Sequence, residues 1–214
     1  GGADINYDMT LVNGSLTITK PALTAKADNK IRSYGSANPT NTITYTGFKN
    51  GQTAADLTQQ PNATTSATIT SPVGNYPITL TGGVATNYDI TSTNGTLTVT
   101  AAVLTVTANN HARPYGSANP VLTLSYSGFV NGQNISIINT PPVASTTATI
   151  TSPVGTYPIS VSGGVDANYS FTPVGGTLTV EKAELTATAD DKVTTYGTIP
   201  AFTITYTGFV NNET

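Results

Sequence analysis

The chain has 214 residues, with 8 Lys plus Arg against 11 Asp plus Glu, a formal net charge of -3 and no cysteine. That balance leaves no basic stripe to neutralise a nucleic-acid backbone, and the missing cysteines exclude disulfides and thiolate metal sites. No apolar run approaches the ~18 residues of a membrane helix, so direct membrane insertion by a helix is not expected.

Threonine makes up roughly a fifth of the residues, with Val, Ile and Tyr common, a β-branched and aromatic bias that predicts strands and almost no helix. In chain order, the period-2 pattern places strands near Ala22–Asp28, Thr42–Thr46, Ala67–Thr70, Tyr76–Thr81, Tyr88–Thr91 and Thr96–Thr100. Their inward residues are predicted to include Leu23, Ile43, Tyr45, Ile69, Ile78, Leu80, Leu97 and Val99. Asn50-Gly51 and Asn131-Gly132 read as tight turns, because both residue types tolerate positive φ. Asn13-Gly14 and Asn94-Gly95 read as another. Thr53-Ala54-Ala55-Asp56 can cap a single helical turn, for which Asn134-Ile135-Ser136-Ile137 is a poorer match.

The chain repeats itself. Tyr34-Gly35-Ser36-Ala37-Asn38-Pro39 returns as Tyr115-Gly116-Ser117-Ala118-Asn119-Pro120 and Tyr196-Gly197 follows, 81 residues at each step. The same offset carries Ser71-Pro72-Val73-Gly74 onto Ser152-Pro153-Val154-Gly155, and Asn6-Tyr7 onto Asn87-Tyr88 and Asn168-Tyr169. In the third copy Thr198-Ile199-Pro200 replaces Ser117 to Pro120, a one-residue deletion of the kind loops absorb. The expected domains are the C-terminal part of a preceding repeat (1–20), two complete repeats (21–101 and 102–182) and the N-terminal part of a following one (183–214). The natural protein is therefore expected to be longer. The opening residues lack a charged and then apolar signal segment, so any targeting signal is expected elsewhere. Only Ala101-Ala102 separates the strand patterns of neighbouring repeats, which predicts a restrained junction and an elongated array.

The Tyr-Gly-Ser-Ala-Asn-Pro segment resembles the MBG domain of the YGX type, as do three further segments: Tyr126-Ser127-Gly128-Phe129-Val130-Asn131-Gly132, Ser152-Pro153-Val154-Gly155-Thr156-Tyr157-Pro158-Ile159 and Gly176-Thr177-Leu178-Thr179-Val180. The resemblance covers the whole chain. It implies tandem domains of very large, adhesin-like bacterial surface proteins, secretion and cell-surface display, and no enzymatic activity.

Residues with chemical potential are few. His111 aligns with Lys30 and Lys192, so a catalytic or metal role for it would be absent from the neighbouring repeats. Asp28, Asp190 and Asp191 lie near the repeat junctions, but Asn109 and Asn110 stand in the second repeat and lysines sit close by, which argues against a shared Ca²⁺ site. Lys26 is replaced by Thr107 and Thr188, which argues against a recurring isopeptide crosslink. No nucleophile elbow or phosphate loop occurs, so catalytic residues, cofactors and metals are all expected to be none. All eleven tyrosines fall on repeat positions, where packing is the expected role. Tyr34 and Tyr115, with Arg32 and Arg113 beside them, are the candidate ligand contacts, on the expectation that their loop is exposed and offers a sugar-stacking surface.

The expected architecture is all-β, a tandem array of immunoglobulin-like antiparallel β-sandwiches. The expected role is an extracellular stalk or spacer that projects a distal binding region, with neighbouring repeats as its partners. The alternative is a multivalent array of weak glycan- or protein-binding modules.

Overall fold

The computed structural model describes residues 5–214. The first repeat contributes β1 (Ala22–Ala27), β2 (Lys30–Ser33), β3 (Ile43–Thr46), β4 (Asn62–Thr65), β5 (Gly74–Thr81), β6 (Asp89–Thr93) and β7 (Gly95–Thr100). The second contributes β8 (Ala102–Ala108), β9 (His111–Pro114), β10 (Leu124–Ser127), β11 (Val143–Thr146), β12 (Gly155–Ser162), β13 (Tyr169–Val174) and β14 (Gly176–Glu181). Two more strands follow, β15 (Thr186–Ala189) and β16 (Ile204–Thr207). The chain is all-β, with no α-helix among the described residues.

Two compact units form, and they cut the chain differently from its 81-residue period. The first unit holds the described residues up to Lys30 together with 39–67 and 75–98. Within it β1 lies between β3, antiparallel, and β6, parallel, while β4, β5 and β7 lie side by side in a second sheet. Strict alternation along β1 buries Leu23, Ala25 and Ala27 and exposes Thr24 and Lys26. Leu23 packs with Leu57, Ala85 and Tyr88, and Ala27 with Ala67, Ile78 and Leu97.

The second unit holds residues 31–38, 68–74 and 99–214. There β8 lies between β10, antiparallel, and β13, parallel, and the other sheet runs β11-β12-β14-β9. Ala108, Ala148, Ile159 and Leu178 form a core cluster of this unit. β15 and β16 make a two-stranded antiparallel pair.

The pairing is thus mixed, where the sequence pattern suggested purely antiparallel sheets. The opening strand of each repeat lies parallel to β6 or β13, and β9 lies parallel to β14. A parallel pair needs a long crossover, which most of the repeat supplies here, and side-chain alternation is the same for either pairing direction.

Three local expectations are corrected. The run Ala67–Thr70 is a turn rather than a strand, so Ile69 is 48% exposed, and the strand of that region is β4. β4 and β2 escaped the sequence reading because neither carries an alternating row of large apolar residues. Asn94-Gly95 does not form a positive-φ turn. It is a corner between β6 and β7 in different sheets, and Gly95 is needed because a Cβ there would stand 2.5 Å from the Ala27 carbonyl oxygen. Leu23, Ile78, Leu97 and Val99 are buried as expected, whereas Ile43, Tyr45 and Leu80 are half-buried. The single helical turn forms in both repeats, capped by Thr53 and by Asn134.

Leu97→Ala should cost about 2–5 kcal/mol in chemical denaturation, the range for truncating a buried leucine. Ile69→Ala should stay within about 0.5 kcal/mol of the parent, because its side chain is on a solvated turn.

Candidate functional site

The sequence motifs converge in the second unit on the Tyr-Gly loop. β2 runs beside the end of β7: the Tyr34 N–H donates to the Thr100 carbonyl at 2.8 Å. Arg32 is only 7% exposed and ties the loop together from within. Its Nε donates to Asn38 Oδ1 at 2.7 Å, Nη1 to the Ser33 carbonyl at 3.1 Å and Nη2 to the Thr68 carbonyl at 2.5 Å. Arg113, 4% exposed, makes the same three bonds to Asn119, Pro114 and Thr149. One guanidinium fork thus spans the loop and the neighbouring turn, which a lysine could not do.

So fixed, the loop offers Tyr34 to a socket built on the second repeat. The socket begins with a tight turn: Asn131 and Gly132 have φ of 54° and 69°, and the Gln133 N–H donates to the Val130 carbonyl at 3.0 Å. Its two ends, Val130 and Gln133, do the gripping. Gln133 Nε2 donates to the Tyr34 hydroxyl at 3.0 Å, while Gln133 Oε1 accepts from the Tyr169 hydroxyl at 2.6 Å. The Val130 N–H donates to the Tyr169 hydroxyl at 3.1 Å. Burial pushes the Tyr169 hydroxyl above its ordinary range, which keeps it neutral and able to donate.

The Tyr34 ring meets Tyr169 edge to face, with centroids 5.7 Å apart, and Phe129 meets Tyr169 at 5.5 Å. Gly35 lies directly on Val130: φ is +77°, and a Cβ there would come within 2.3 Å of the valine Cγ2. Both facts require glycine. The Ser-Pro-Val-Gly turn adds a further bond, the Val73 N–H donating to Asn168 Oδ1 at 3.0 Å. Tyr115 repeats the theme with the third copy. Its hydroxyl donates to Glu213 Oε1 at 2.5 Å, and a Cβ on Gly116 would lie 2.4 Å from Val210 Cγ2.

The exposed sugar platform is therefore corrected. Tyr34 is 5% exposed, Arg32 and Arg113 are buried, and Tyr115 is half-buried with its hydroxyl engaged. The Tyr34 ring, the Tyr115 hydroxyl and both guanidinium groups are taken up by protein groups. Gln133 and Glu213 did not stand out in the sequence, although each directly follows the tight turn of its copy. Tyr196, in the third loop, is fully exposed; Thr194 stands where Arg32 and Arg113 stand, and bonds Thr198 at 2.6 Å between hydroxyls.

The acidic candidates have structural partners. Asp28 accepts from the Thr42 and Thr44 hydroxyls, and Asp190 from those of Thr203 and Thr205. Asn109 takes this place in the second repeat, bonding Thr123 at 2.8 Å and Ser125 at 2.7 Å. His111 lies against Thr123, with 3.3 Å between ring nitrogen and hydroxyl. Among the described residues no group of three or more His, Cys, Asp or Glu is placed to hold a metal ion.

Fold and motifs together define a tandem all-β repeat region whose characteristic loop is an internal fastening. The chain belongs to the family of the MBG domain (YGX type), whose sequence profile matches residues 23–98, 104–179 and 185–214. Such tandem repeats are consistent with the repeat region of a surface protein. No curated protein matches the chain significantly.

Gly35→Ala should cost about 2–4 kcal/mol in denaturation, from left-handed strain plus overpacking. In a double-mutant cycle, Val130→Gly should remove the overpacking part and leave about 1 kcal/mol.

The Thr42 and then the Thr44 hydroxyl bonds hold the Asp28 carboxyl below its ordinary 3.8. A depressed folded-state value means that the stabilising contribution is full well above pH 3.8 and fades as pH falls through the folded-state value. NMR titration should show Thr42→Val moving the Asp28 midpoint upward, toward that of a free aspartate.

Proposed function

We propose that this chain is part of a non-enzymatic stalk in a large, extracellular bacterial surface protein, where tandem repeats hold a distal binding region away from the cell. The observation that carries this reading is the burial of Tyr34: a loop of the first repeat is built into the same compact unit as the second, gripped by Gln133 and Tyr169. A side chain held on both its ring and its hydroxyl restrains a junction far more than a solvated tether does. The direct passage from β7, ending at Thr100, to β8, beginning at Ala102, supports the same reading. Neighbouring repeats are then the principal partners, and reach is what the array contributes.

Small-angle scattering on arrays of two and four repeats tests the proposal. The maximum dimension should grow nearly in proportion to copy number, and Tyr34→Ala with Tyr115→Ala should broaden the distance distribution. Growth as the square root of copy number would mean flexible tethers, and would favour an array of weak glycan- or protein-binding modules instead. Antibody labelling of intact cells tests the surface location.

A further inference from the structure

The first repeat carries a socket of the same design within the first unit. Asn50 and Gly51 have φ of 55° and 72°, and the Gln52 N–H donates to the Lys49 carbonyl at 3.0 Å. The Tyr88 hydroxyl donates to Gln52 Oε1 at 2.6 Å and accepts from the Lys49 N–H at 3.0 Å. These bonds reproduce the arrangement of Tyr169, Gln133 and Val130. Phe48 meets Tyr88 edge to face at 5.5 Å, as Phe129 meets Tyr169.

Two groups differ in their partners. Gln133 Nε2 donates to a tyrosine hydroxyl, whereas no described residue accepts from Gln52 Nε2. Asn168 Oδ1 accepts the Val73 N–H, whereas no described residue donates to Asn87 Oδ1. Both groups border an open recess of about 510 Å³, which Tyr88, Lys49, Lys20 and Pro21 also line.

We propose that this recess is a receptor for the Tyr-Gly loop of another YGX-type repeat. The loop's tyrosine hydroxyl accepts from Gln52 Nε2, its ring lies edge-on against Tyr88, and the adjoining Ser-Pro-Val-Gly turn donates a backbone N–H to Asn87 Oδ1. The filled socket of the second unit points to this occupant, because a loop of that sequence makes each of those contacts there. Lys49 stands where Val130 lies on Gly35, so the aliphatic stem of the lysine takes the place against the incoming glycine. This goes beyond the stalk reading, because it assigns a partner surface whatever the array is for.

The test extends the full chain by a copy of residues 21–81 placed directly before residue 1, in register with the repeat. The readout is the NMR signal of the Gln52 side-chain amide. Extension should shift that signal and slow its hydrogen exchange by about fivefold, the effect of one net hydrogen bond. Tyr34→Ala in the added copy should return both to the values of the unextended chain. Should that substitution unfold the added copy, Tyr34→Phe, which keeps the ring and removes only the hydroxyl, should abolish the exchange protection. A folded added copy that leaves the Gln52 amide unchanged would overturn the proposal, as would protection that survives both substitutions. Neither result bears on whether the array is a spacer, which the scattering experiment decides.

Discussion

The constraint on which this structure turns is the close approach of Gly35 to Val130, with Tyr34 locked beside it. The loop can deliver a tyrosine hydroxyl to Gln133 only if its next residue has no Cβ, because even a methyl group would overlap the valine. Several otherwise separate motifs follow from this one contact. Tyr-Gly supplies the inserted ring and the bare backbone beneath it. The Asn-Gly turn sets Val130 and Gln133 at the correct separation, and Asn168-Tyr169 supplies an acceptor and an aromatic wall.

The buried arginines take their meaning from the same contact. A loop that inserts a side chain into a neighbour must not rearrange when it does so, or the ordering entropy would offset the favourable contacts. Arg32 and Arg113 direct their donors to carbonyl and amide oxygens of their own surroundings, which pre-organises the loop. The third loop has Thr194 in place of the arginine, and hydroxyl bonds to Thr198 in place of the fork. The socket chemistry also varies: the partner of the tyrosine hydroxyl is an amide at Gln133 and a carboxylate at Glu213, so the hydroxyl accepts in one case and donates in the other. A phenol serves both roles, which lets one loop fit two sockets.

Much of the fold was legible in the sequence because its information is local or periodic. The 81-residue offset revealed the repeats, alternation in Leu23-Thr24-Ala25-Lys26-Ala27 set the buried face of β1, and Asn50-Gly51 announced a tight turn whose positive φ values the structure has. Ile69 misled because a hydrophobic residue between threonines reads as strand whether it lies in one or on a turn. Asn94-Gly95 misled because the same dipeptide serves two physical needs, positive φ at one site and a close backbone approach at another.

The sequence by itself determined the repeat, the all-β class and most strand positions. It could not determine strand direction, since alternation is identical in parallel and antiparallel sheets, nor that Tyr34 is buried rather than offered to a ligand. Those outcomes rest on contacts between residues far apart in the chain. Tyr34 and Gln133 are separated by 99 positions, and nothing in either neighbourhood records that the two side chains meet. Only the tertiary structure brings them within a hydrogen bond, and that proximity turns a motif that resembled a binding surface into a fastening.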